Sequence, residues 1–270
     1  MAVARRSATM NVMVEAAEKA GRSLVRDFGE VENLQVSKKG PGDFVSTADH
    51  KAEKIIKEVL QKGRPKFGFL MEEGGAEKGE DANVRWIVDP LDGTMNFLHG
   101  IPHFSVAIAL EKDKEIVAGV VYDPIKDELF WAEKGLGAYV NNRRLQVSAR
   151  RSLTESAISL APQALSALGD GPALMASGML VREMGSTCLD LAYVAAGRLD
   201  GLYKPNITGG IWDVAPGILL VREARGIVTD AQRGGDFNTG GSVIAGPNAI
   251  HSEILDRVKG SASPKAKTAT

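Results

Sequence analysis

The chain has a single cysteine, Cys188, among its 270 residues, so no disulfide can close within it, and the composition suits a reducing compartment such as the cytoplasm. No run of about 18 apolar residues is present, which excludes a membrane-spanning helix. The N-terminus is interrupted by Arg5, Arg6, Glu15, Glu18 and Lys19 and lacks the apolar core of a signal peptide. An excess of charge is missing too. Lys and Arg number 33 against 34 Asp and Glu, a net charge of −1, so nothing in the composition advertises a nucleic-acid surface. Internal repeats are absent. The 44% of hydrophobic residues suffices for a substantial core, and the length suggests one compact unit or two tightly joined lobes.

The most informative stretch is Trp86-Ile87-Val88-Asp89-Pro90-Leu91-Asp92-Gly93-Thr94-Met95-Asn96-Phe97. Its apolar start reads as a buried strand that breaks at Asp89-Pro90, because proline cannot donate to a ladder and restricts the residue before it. Gly93 then permits a sharp turn, and Thr94 can open a helix whose free N–H groups face the same mouth as both aspartates. Two carboxylates this close repel each other unless protons or cations intervene. Oxygen ligands favour magnesium, calcium or manganese over zinc, and a helix start beside them favours phosphate. The same residues also make an ordinary Asp-Pro turn and an Asp-Gly-Thr cap.

Around this stretch the chain alternates in texture. Residues 7–28 carry Met10, Met13, Ala17, Ala20 and Leu24 at helical spacing, an amphipathic helix. Gly40-Pro41-Gly42 marks a loop, and a second helix follows a capping-box spacing from Ser46 to Asp49. Residues 67–71 read as a strand ending at Glu72. The segment 74–83 reads as a solvated loop, with Glu73, Glu77, Glu80 and Asp81 as its exposed face. Strands at 104–110 and 116–122 form a hairpin, and shorter ones at 128–132, 138–140 and 145–147 continue the meander. His99 and His103 read as polar loop surface. From about residue 150 strands and helices alternate, which argues a second lobe of α/β type. There Gly185-Ser186-Thr187 caps a helix carrying Cys188, whose expected role is packing. Trp212-Asp213 opens another helix, with Pro216 in its first turn.

Three stretches are together more specific than their spacing. Asp89-Pro90-Leu91-Asp92-Gly93-Thr94-Met95-Asn96-Phe97, Ile211-Trp212-Asp213-Val214-Ala215-Pro216-Gly217 and the acidic pair Glu72-Glu73 after Phe67-Gly68-Phe69-Leu70-Met71 resemble, in order and separation, the signatures of the inositol monophosphatase family of magnesium-dependent, lithium-sensitive phosphatases. The resemblance spans residues 8–258. It implies an α/β (α+β) fold, the layered αβαβα sandwich of the inositol monophosphatase and fructose-1,6-bisphosphatase type. An antiparallel sheet is expected in a lobe of residues 1–148, a mixed sheet in a lobe of residues 149–259, and a disordered tail over 260–270.

The resemblance also implies roles. Glu72, Asp89 and the Leu91 carbonyl would hold one magnesium. Asp89 would bridge to a second that Asp92 and Asp213 also bind, and a third, looser ion would share Glu72. Thr94 and Asp49 would orient and deprotonate the attacking water, with Glu72 counted among the catalytic groups. The Gly93 and Thr94 amides would hold phosphate beside a mobile Lys38, while Gly185, Ser186, Thr187, Lys204, Asp92 and Asp213 would line the substrate pocket. Many family members place an acid after the aromatic residue where Tyr203 is here followed by Lys204, a change that would favour a second anionic group on the substrate. The implied substrate is inositol monophosphate; fructose 1,6-bisphosphate, NADP, histidinol phosphate and 3′-phosphoadenosine 5′-phosphate remain alternatives. A homodimer is implied, and some bacterial relatives bind transcription antitermination factors.

Overall fold

Ser7 starts the fold. Its hydroxyl accepts from the Met10 amide at 3.0 Å, satisfying one of the orphan N–H groups of α1 (Ala8–Phe28). This computed structural model describes residues 5–30, 36–40, 43–232, 234, 235, 237 and 241–262. Strands β1 (Val36–Gly40) and β2 (Asp43–Ser46) pair as a hairpin leading into α2 (Thr47–Gly63). The expected Gly40-Pro41-Gly42 loop lies partly outside the described residues.

An eight-stranded sheet follows, built from β3 (Phe67–Met71), β4 (Gly75–Glu77), β5 (Asp81–Asp92), β6 (Ser105–Lys112), β7 (Glu115–Asp123), β8 (Glu128–Glu133), β9 (Gly137–Val140) and β10 (Arg143–Arg144). A five-residue helix, α3 (Thr94–Leu98), separates β5 from β6. Side chains alternate cleanly between the two faces of this sheet. Trp86, Val88, Val106, Ile108 and Val120 join the α1 and α2 core, whereas Ile87, Ala107, Ala109 and Val121 face the opposite layer, as the two-residue strand period requires. All its pairs are antiparallel except β3 with β5, which run parallel. The expectation of an antiparallel sheet therefore needs one correction. The hairpin partner β4 takes the outer edge of β3, so the chain returns on the inner edge in the original direction. The expected loop over 74–83 is partly strand for the same reason.

The second sheet combines β11 (Ala157–Leu160), β12 (Leu180–Arg182), β13 (Gly201–Lys204), β14 (Ile227–Thr229) and β15 (Val243–Gly246) in the order β12-β11-β13-β15-β14, with parallel and antiparallel pairs. Between the sheets lie α5 (Thr187–Ala195) and α6 (Ala215–Glu223), buried on nearly every side. The short α4 (Gly171–Ala176) and α7 (Asn248–Ala262) belong to the outer face, where Ile250, Ile254 and Leu255 pack on Ile158, Leu160 and Ile244. The result is the αβαβα layering. The strand expected over 145–147 has no regular structure. The disordered tail expected from residue 260 is also corrected: α7 continues to Ala262, and 263–270 lie outside the described residues.

Candidate active site

Strand β5 does not break at Pro90. Asp89 pairs with Ala107 and Asp92 with Ser105, so three steps on β5 oppose two on β6. Such a bulge is where a strand tolerates proline, whose missing N–H falls in the open part of the ladder. It also has a functional consequence. Residues three apart on a regular strand point to opposite faces, and the extra residue cancels that alternation. Asp89 and Asp92 thus open toward a common space, and each sits within the electrostatic reach of the other.

Asp92 is met by the first turn of α5. Its Oδ2 accepts from Ser186 Oγ at 2.6 Å and from the Cys188 amide at 2.7 Å, and its Oδ1 from the Thr187 amide at 3.1 Å. A carboxylate at a helix start is favoured by the dipole and the free N–H groups. Burial nevertheless raises the Asp92 carboxyl, with these donors and the Lys204 charge pulling the other way. Asp89, 2% exposed, is pushed well up by burial and then by Glu72, Asp92, Asp213 and Asp49. Its Oδ1 accepts from the Leu91 amide at 3.0 Å.

Asp213 ends a single 3-10 turn, Ile211–Asp213, ahead of α6. Gly209 lets the carboxylate approach closely, since a Cβ at that position would stand 2.6 Å from Asp213 Oδ2 and displace it. Burial, then Asp92, lifts the Asp213 carboxyl from 3.8 to about 6, against the Lys204 charge and hydrogen bonds from the Gly210 and Gly209 backbone. Asp213 and the Asp89–Asp92 bulge are therefore brought together despite their distance in sequence.

The fourth arm comes from β3. The Glu72 amide donates to Val88 O at 3.1 Å, extending the parallel pairing by one residue so that Glu72 lands beside Asp89. Oxygens of Asp49, Glu72 and Glu73 lie within 4.8 Å of one another. Glu73 is a correction to the sequence reading: its side chain is 3% exposed, not part of a solvated face. Its amide donates to Glu53 Oε2 of α2 at 2.9 Å, and His50 Nε2 stands 3.6 Å from its Oε2. Burial raises the Glu53 carboxyl.

Thr94 Oγ1 lies 3.3 Å from Asp49 Oδ2 and 3.0 Å from Leu91 O. Gly93, the N-cap of α3, has φ 102, a left-handed conformation that suits glycine. Asn96 of α3 donates from Nδ2 to His103 O and Met184 O, both at 2.7 Å, tying α3 to the Gly185 turn. A cavity of about 160 Å³ adjoins this turn, lined by Gly185, Ser186, Thr187, Ser159, Tyr203 and Lys204 among others. Lys204 Nζ donates to Thr187 Oγ1. Lys38 lies in β1 opposite Phe44; its side chain is outside the described residues.

Sequence reasoning missed a buried polar network behind the cavity. His103 Nε2 is 3.3 Å from Asp190 Oδ1, whose Oδ2 accepts from Ser159 Oγ at 2.6 Å. His103 is thus not loop surface. Asp190 sits three residues after Thr187 on α5, a spacing that could have suggested a shared face.

The acids present oxygen only, and burial raises Asp89, Asp92 and Asp213, the first and last of these also through neighbouring acids, which fits hard divalent cations rather than an empty core. Fold and site together define a metal-dependent phosphatase. The model of the inositol monophosphatase family matches residues 6–262, and the chain belongs to that family. It is similar to an inositol-1-monophosphatase of Mesorhizobium japonicum (55% identity over 260 residues, 94% of this chain and 97% of that one). It is also similar to the Nus factor SuhB of Pasteurella multocida (38% identity, 93% and 95% covered). The crystal structure of the extragenic suppressor protein suhB from Bartonella henselae superposes with a TM-score of 0.87 at 56% identity, covering 94% and 99% of the two chains.

Proposed function

We propose that the chain hydrolyses small phosphate monoesters, inositol monophosphate first among them, with two to three Mg²⁺ ions held by Glu72, Asp89, the Leu91 carbonyl, Asp92 and Asp213. The observation that carries the reading is the convergence of Asp89, Asp92, Asp213 and Glu72 in one buried field. Glu73 extends the set of ligands suggested by sequence alone, since it shares the Asp49–Glu72 cluster. When bound, the cations supply charge that makes water nucleophilic and stabilises the leaving oxygen.

The chain's own groups do the rest. Thr94 has one hydroxyl proton and two acceptors near it. When that proton points to Asp49 Oδ2, the Thr94 oxygen is free to accept from a water. The water's proton can then pass to Thr94 Oγ1 as Thr94 passes its own to Asp49. The Gly93 and Thr94 amides, at the start of α3, have no carbonyl one turn earlier in the helix and can receive phosphate oxygens. Lys38 would approach the same phosphate. Gly185, Ser186, Thr187 and Lys204 would line the ester's other side.

Phosphate release from a panel of inositol monophosphate, fructose 1,6-bisphosphate, NADP, histidinol phosphate and 3′-phosphoadenosine 5′-phosphate, with and without Mg²⁺, tests this reading. Asp89→Asn should abolish release from every substrate while keeping the native circular dichroism spectrum. Activity near wild type in that variant would refute the metal assignment. Relatives named Nus factor SuhB at 38% identity over nearly the whole chain favour a second role, binding of antitermination factors. Capture of such factors by the inactive Asp89→Asn protein would separate that role from catalysis. We place the protein in the cytoplasm as a homodimer, which sedimentation would check; among the described residues no helix is long and apolar enough to cross a membrane.

A further inference from the structure

We infer that Cys188 is a positioning residue that sets Asp92 against Asp213 and so fixes the grip of the site on its cations; the inference rests on the metal reading above. Cys188 is the second residue of α5 and is fully buried. Its amide donates to Asp92 Oδ2 at 2.7 Å. Its thiol donates in the other direction, to Asp213 O at 2.9 Å, and lies 3.4 Å from Trp212 O. One residue therefore holds the side chain of one acid and the backbone of another, although the two arrive on β5 and on the 3-10 turn before α6.

The turn has a reason to need that donor. A carbonyl entering a helix is ordinarily satisfied by the N–H four residues later. For Trp212 that residue is Pro216, which has no N–H. The thiol, whose one proton is directed at Asp213 O, also stands 3.4 Å from this open carbonyl, so its donation is shared between the two carbonyls of the turn. Burial in an apolar neighbourhood of Leu189, Leu191 and Val214 keeps water from taking its place, and a buried acceptor without a partner is costly.

A cysteine that merely fills space would show the same burial, so the test separates donation from volume. Cys188→Val removes the donor and adds about a methyl of bulk, Cys188→Ser keeps a donor in less volume, and Cys188→Ala, close to serine in volume, has no donor. Calorimetric titration of Mg²⁺ into protein stripped with EDTA reads cation affinity directly, and Tm in EDTA reads stability apart from the cation. The expected result is a Kd for Mg²⁺ raised about threefold to tenfold in the Val and Ala variants, and within about twofold of wild type in Cys188→Ser. A Val variant that binds as wild type, or a Ser variant as weak as Ala, would overturn the positioning role in favour of packing. A lowered Tm in EDTA with unchanged Mg²⁺ affinity in all three would do the same. Wild-type protein that takes up no Mg²⁺ would instead sink the metal reading itself, and this inference with it.

Discussion

Replacing Asp213 by asparagine should make the cation-free protein more stable while destroying its activity. Burial and the Asp92 charge carry the Asp213 carboxyl from 3.8 to about 6, so ionisation costs more in the folded chain than in the unfolded one. The sign follows from linkage. The penalty is absent below about pH 4, where the group is protonated in both states, grows as pH rises toward 6, and is complete above it. A displacement of that size corresponds to about 3 kcal/mol. Asparagine keeps a carbonyl oxygen that can accept from the Gly209 and Gly210 backbone, so little of this gain is lost. At roughly 2–4 °C per kcal/mol the variant should melt up to roughly 6–12 °C higher in EDTA at about pH 8, with the difference vanishing near pH 4. Saturating Mg²⁺ should reverse the order, because a ligand that binds only the folded state stabilises the wild type selectively. Thermal melts from about pH 4 to pH 8, with EDTA and with Mg²⁺, read all of this. Equal melting in EDTA at the alkaline end, or a variant weaker at every pH, would refute the picture of carboxylates held together against their own repulsion.

Two further outcomes test the surroundings of the cluster. Asn96→Ala removes the donor shared by His103 O and Met184 O, so it should cost about 2 kcal/mol in urea unfolding and lower kcat by loosening the Gly185 turn; an unchanged unfolding midpoint would mean that neither carbonyl depends on it. Glu73→Gln should raise the Mg²⁺ concentration needed for half-maximal phosphate release, whereas Glu77→Gln should leave activity alone, since it breaks only the exposed 2.5 Å pair with Lys57, a contact worth under about 1 kcal/mol. Identical Mg²⁺ curves for the Glu73 variant and the wild type would remove Glu73 from the cation site.

Much of this architecture was legible in the chain because local and global signals agree. The methionine and alanine stripe of α1 is buried where its period placed it, and the strands of the first sheet follow their apolar runs. The misreadings share a physical cause: a local rule was applied where tertiary pairing decided. Proline at position 90 looked like a strand terminator, yet a bulge absorbs it and turns Asp89 and Asp92 to one side. Glu73 looked like the first residue of a charged loop, yet α2 brings Glu53 and His50 over it. His103 looked like loop surface, and only the packing of α5 supplies Asp190 as its partner. No periodicity within a single element reports a contact made between two of them.

The same reasoning explains why the acids sit at the ends of elements. A carboxylate in the middle of β3, β5 or α6 would face a core of Ile87, Val88 or Leu220 and stay protonated. At the bulge of β5, one residue past β3 and in the turn before α6, each acid sits where a regular element ends or is interrupted, and its oxygens share a small polar space. Neighbouring acids raise the Asp89 carboxyl and Asp92 raises that of Asp213, so the cluster resists ionising, and a divalent cation held there would offset that repulsion. Lys204, pulling Asp92 and Asp213 down together, offsets only part of that repulsion. A site built this way should therefore lose cations on acidification before the fold is lost, because protons and Mg²⁺ compete for the same oxygens.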